Sequence, residues 1–176
     1  FKMRNLANLL GFQLIWILSV WGAANSRWWL GPLGVAVFCA LHFALRANHR
    51  DDLKLIVAAV VVGALVDSAF AWSGVLIYAS PVPSVYLAPL WILSMWVGFA
   101  LTLNHSMAWM KGRLPLQIAF GAIGGPLAYW IAGRAWGAVV FGESLPVVIA
   151  LLAIAWGVVT PSLLLLSNHR DTKLPE

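Results

Sequence analysis

The sequence predicts an all-α integral membrane protein, a compact bundle of about six transmembrane helices with both termini in the cytoplasm. Two observations carry this. Of the 176 residues, 62% are hydrophobic and only 10% charged, whereas a soluble globule carries about 25% charge. The apolar residues fall into long runs, and the cations crowd into alternate gaps between them. Of the eleven Lys and Arg, all but Arg27 and Arg134 lie before the first run, between the second and third, between the fourth and fifth, or after the sixth. Cytoplasmic loops collect such cations, which assigns the chain to the inner (plasma) membrane as a multi-pass protein.

Spans are expected at about 6–24, 30–46, 53–73, 89–108, 114–136 and 144–167, each near the roughly 20 residues that cross hydrocarbon. They form a single transmembrane domain over 3–170, with a cytoplasmic tail at 171–176 and a tag remnant at 1–2 ahead of Met3. The inner turn 47–52 ends in Asp51 and Asp52, acids suited to the start of the third helix. The outer connection 74–88 has no charge, two tyrosines, and Pro81 and Pro83 with Pro89 close by. A connection this apolar is expected to lie in the interface or fold back over the bundle as a lid.

No space is left for a soluble catalytic or nucleic-acid-binding module. The +5 net charge follows from cytoplasmic Lys and Arg meeting anionic lipid. The lone Cys39 rules out an intramolecular disulfide and the zinc-type cysteine patterns. Trp21, Trp28, Trp29, Trp72, Trp91 and Trp136 map to the outer interface as an aromatic belt. Trp16, Trp96 and Trp156 fall mid-span, where they either pack between helices or line a cavity for an apolar or ring-shaped ligand. In the fifth span Gly121, Gly125, Gly133 and Gly137 recur on one helix face, which permits close helix packing or a contact to another copy or a membrane-protein partner. Gly124-Gly125-Pro126 is expected to loosen or kink that helix, or in a sharper reading to break it beside a substrate site, and Pro161 gives a second possible kink in the sixth.

Ionisable groups inside spans are expensive and therefore candidates for function. His42 lies about 6 Å from the cytoplasmic edge of its span, and Gln13 and Gln117 roughly 5–10 Å deep. With Asn104, His105 and Ser106 they bring polar groups from four helices to one level. Three readings of His42 and His105 stay open: hydrogen-bonded histidines, an acid/base pair with Gln13, Asn104 or Gln117 orienting a substrate, or axial ligands to a haem. No other metal site is expected: four singly scattered histidines do not make a histidine box. The second polar group comprises Asp67, about 21 Å into the third span, with Tyr129, Arg134 and Glu143. Asp67 needs a partner or must be neutral, and Arg134 is the expected one. Asp67 is then either a structural tie between helices or a proton-carrying or substrate-binding carboxylate.

Three sets of elements carry a family resemblance: Asn8…Phe12-Gln13…Trp16, His42, Asp52-Leu53 and Gly63…Asp67; then Pro89-Leu-Trp91…Phe99-Ala100-Leu-Thr-Leu-Asn-His105-Ser106; then Gly121-Ala-Ile-Gly-Gly-Pro126-Leu-Ala-Tyr129. Together they resemble the bacterial inner-membrane family DUF2878, a domain of unknown function, over nearly the whole chain. The resemblance implies an integral inner-membrane domain, brings no activity to carry over, and by association points towards membrane-lipid modification or oxidative stress. The functional expectation, in order, is a lipid- or apolar-metabolite-handling enzyme subunit or binding module, then a small proton-coupled transporter, then an assembly subunit of a larger complex.

Overall fold

The computed structural model describes residues 3–45 and 50–167. The expected tag remnant, the 171–176 tail, the end of the second span and the first half of the turn that follows it lie outside the described residues. Those described form six α-helices: α1 (Met3–Ala24), α2 (Leu30–Ala44), α3 (Arg50–Trp72), α4 (Leu90–Leu103), α5 (Leu114–Trp136) and α6 (Leu145–Leu166). Two short strands, β1 (Leu76–Tyr78) and β2 (Val139–Phe141), and a 3-10 turn at Ala108–Met110 complete the fold.

Four helices, α1, α3, α5 and α6, are long and apolar enough to cross a membrane. At 22 or 23 residues each runs about 33 Å. Helix α2, with 15 residues, and α4, with 14, reach only about 22 Å. The expected span 89–108 therefore stops early. At its end the N–H groups of His105 and Met107 both return to the Thr102 carbonyl, and the chain turns off into the 3-10 segment.

The helices are apolar on the outside. On α3, Val57, Val61 and Leu65 follow one another four residues apart, each more than half exposed. Leu10 and Leu14 do the same on α1, and Ile154 and Val158 on α6. Such continuous stripes are what hydrocarbon solvates and water does not. Several polar groups on the helices face inwards: Asn8, His42, Asp52, Asp67, Gln117 and Thr160 are all buried.

Helix α5 packs most extensively on α6, α3 on α4, and α1 on α2. The glycine face is used inside this arrangement. A methyl group on Gly121 would meet the Trp156 carbonyl and Thr160 Oγ1, one on Gly125 the Trp156 ring, and one on Gly133 the Val139 carbonyl. Within this chain α6 and β2 pack against that face at Gly121, Gly125 and Gly133, while Gly137, with a left-handed φ of 69°, ends α5. The expected break at Pro126 is absent: α5 runs through it from Leu114 to Trp136, and α6 likewise through Pro161.

The 74–88 connection does fold back. β1 pairs antiparallel with β2, Ile77 opposite Val140, with Leu76 and Tyr78 buried and Ile77 exposed. The Ser80 hydroxyl donates to the Ala23 carbonyl at 2.8 Å and Trp91 Nε1 to the Ala79 carbonyl at 3.0 Å. These contacts seat the flap on the ends of α1 and α4. It delivers Tyr78 to the interior.

Candidate functional site

Asp67 is fully buried on α3, and three donors from three other elements converge on it. The hydroxyls of Tyr78 (β1) and Tyr129 (α5) donate to Oδ1 at 2.7 and 2.5 Å, and Trp96 Nε1 (α4) donates to Oδ2 at 2.7 Å. Burial, reinforced by the neighbouring carboxylate, pushes the Tyr78 phenol well above its ordinary value, so it remains a donor. The expected ion pair with Arg134 is not formed. Arg134 is exposed and lines a surface depression with Trp130, Phe141, Glu143 and Leu145. Neutral donors satisfy the carboxylate instead, one of them from a connection that hydropathy marks only as a loop.

Trp96 and Tyr129 also form part of the wall of a cavity of about 340 Å³ between α1, α4, α5 and α6, within the range of small-molecule sites. Phe12, Trp16, Trp91, Phe99 and Trp156 contribute rings, Gly121, Gly124 and Gly125 leave room, and the exposed Gln13 belongs to the lining. The three mid-span tryptophans thus line a cavity, and two of them also pack together. Buried side-chain atoms left without a hydrogen-bond partner among the described residues are Ser19 Oγ, Trp156 Nε1 and Thr160 Oγ1. Residues Trp156 and Thr160 belong to the cavity wall. Trp156 stands beside Tyr129, ring centroids 6.4 Å apart, yet its Nε1 reaches no acceptor in hydrogen-bond geometry.

The second polar centre gathers at the opposite end of α3. His42 Nε2 (α2) and His105 Nε2, just beyond α4, lie 2.8 and 3.0 Å from a single oxygen, Asp52 Oδ2. Asn104 Nδ2 donates to the other oxygen at 2.9 Å, and Lys111 Nζ donates to Asn104 Oδ1 at 2.8 Å, which fixes the orientation of the amide. The expected layer of His42, Asn104 and His105 is therefore one cluster. Its centre, Asp52, reads from sequence only as an acid in a helix's first turn. The clue to its role is that its expected level along the helices is the same as that of both histidines. Gln117 is not a member: it is buried and donates to the Met110 carbonyl at 2.8 Å. Gln13 belongs to the aromatic cavity. Haem ligation by the two histidines is also corrected. Their rings face one carboxylate with centroids 4.7 Å apart, closer than axial ligands on opposite faces of a porphyrin can stand.

Fold and site together describe an apolar helical bundle around an aromatic cavity, with one buried carboxylate behind its wall and another at one end. The chain belongs to the DUF2878 family of proteins of unknown function, whose model matches residues 5–162. No curated protein and no solved structure matches it.

Proposed function

We propose that this chain crosses the bacterial inner membrane six times, with both ends in the cytoplasm, and holds one lipid-like or ring-bearing apolar metabolite in the aromatic cavity, as the binding module or enzyme subunit of a lipid-handling process. The observation that carries this is the ring-lined cavity, whose wall includes two residues, Trp156 and Thr160, with a buried polar atom that has no partner among the described residues. A buried donor without an acceptor costs about 1–3 kcal/mol. A ligand bearing a carbonyl, ester or hydroxyl oxygen would remove that cost while its apolar body fills the space between the rings. Asp67 and Tyr129 would hold the wall in place behind it. Proton-coupled transport is less well supported, because Asp67 would first have to release all three of its donors.

Native mass spectrometry of protein released in the mildest detergent that preserves it tests the reading. Gly124 lines the cavity, and a methyl group on it would meet nothing within 4 Å, so Gly124→Leu fills the space with little disturbance. A discrete bound mass in the native protein that is lost in Gly124→Leu is expected. Bulk lipid alone, equal in both proteins, would overturn the reading.

A further inference from the structure

Two imidazoles and a carboxylate meet at Asp52, and we propose that His42, Asp52 and His105 bind one divalent first-row transition ion, of the class of Zn²⁺ or Fe²⁺. The three potential ligand atoms lie within 4.8 Å of one another. Ligands at about 2.1 Å from a metal and at right angles to each other stand roughly 3 Å apart. The two nitrogen-to-oxygen separations here are 2.8 and 3.0 Å, and the two nitrogens, no more than 4.8 Å apart, would draw together around a bound ion. Two imidazoles with one carboxylate are the donor set that takes iron or zinc on one face and leaves the remaining positions open.

The surroundings suit a metal as well. Asn104 holds the carboxylate oxygen that faces away from the histidines, the orienting contact that metal-bound carboxylates commonly have. His42 and Asp52 side chains are each 3% exposed and that of His105 is 14% exposed, so the open positions would fall on the His105 side, where water or a substrate oxygen can arrive. The three ligands come from α2, from α3 and from the turn after α4. A bound ion would tie three segments together, where direct hydrogen bonds now do so.

The test uses the full chain without a polyhistidine tag, stripped with EDTA and dialysed. It is then titrated with Zn²⁺, read by elemental analysis, and with Co²⁺, read by its visible absorption. One equivalent of Zn²⁺ per chain and cobalt bands distinct from those of the aqueous ion are expected. Asp52→Asn and His105→Ala should each weaken binding at least tenfold, and Gly124→Leu should leave it unchanged, which separates this site from the cavity. Should Asp52→Asn fail to fold, His105→Ala, at the most exposed of the three ligands, decides. Equal metal content in the native protein and His105→Ala, or a cobalt spectrum like that of the aqueous ion, overturns the proposal.

Discussion

Trp96 and Trp156 lie face to face, ring centroids 4.6 Å apart and planes 7° from parallel. One is tied and the other is not: Trp96 donates to Asp67, while Trp156 Nε1 meets no acceptor in hydrogen-bond geometry among the described residues. Glycines make room for both, since a methyl group on Gly63 would run into the Trp96 indole and one on Gly125 into that of Trp156. Gly125→Ala should therefore force α5 and α6 apart and destabilise the protein by about 1–3 kcal/mol. Thermal unfolding in detergent, followed by near-ultraviolet circular dichroism, reads both the loss and the altered stack. An unchanged midpoint would mean that the interface has slack.

Asp67→Leu removes the acceptor that Tyr78, Tyr129 and Trp96 share at the centre of the bundle. Each stranded donor costs about 1–3 kcal/mol, so a loss of several kcal/mol is expected, larger than for Gly125→Ala. Arg134→Ala should change stability by less than about 0.5 kcal/mol, as an exposed side chain outside the network. Denaturant titration of both variants checks this. Equal losses would restore the ion pair that the geometry denies.

Thr160→Val keeps the shape of the side chain and deletes a hydroxyl that has no partner. Ligand-free protein should be as stable as the native protein or about 1 kcal/mol more so. Retention of the cavity's occupant should nonetheless fall by about tenfold, the worth of one hydrogen bond of roughly 1.4 kcal/mol. The comparison needs unfolding curves of delipidated protein alongside bound mass from native spectrometry.

Asn8 bridges α1 to the turn after α4, donating from Nδ2 to the Leu101 carbonyl at 3.2 Å and accepting from the Ser106 hydroxyl at 2.7 Å. Asn8→Ala should cost about 1–3 kcal/mol. It should also speed amide hydrogen exchange at 104–107, next to the Asp52 cluster. Exchange unchanged there would show that His105 and Asn104 hold the turn by themselves.

Much of this was legible in advance because hydropathy and charge act over whole helices. The edges of α1, α3, α5 and α6 fall within about three residues of expectation. His42, Asn104 and His105 share a cluster because they share a depth. What failed was partner choice. Asp67 finds Tyr78 through a strand pairing between two connections, β1 and β2, which three residues apiece cannot announce as a pattern. Opposite charge suggested Arg134, but a side chain able to reach water gains little from entering the bundle. Asp52 was misread for the reverse reason: an acid in a helix's first turn has a sufficient local explanation, so its tertiary one leaves no trace. Gln117, at the right depth, satisfies itself on the carbonyl of Met110 seven residues away.

The brevity of α2 and α4 has its own consequence for the surroundings. These two helices pack against each other, and at about 22 Å they fall short of the roughly 30 Å of hydrocarbon in a typical bilayer. In the six-span arrangement proposed above, lipid alongside them would thin, or headgroups and water would dip to meet them. The notch so formed lies where both helices end, which is where His42 and His105 reach Asp52. A polar centre that would be stranded in oil beside a full-length helix would thereby come within reach of the aqueous phase, and a lipid headgroup drawn into the notch would arrive beside it.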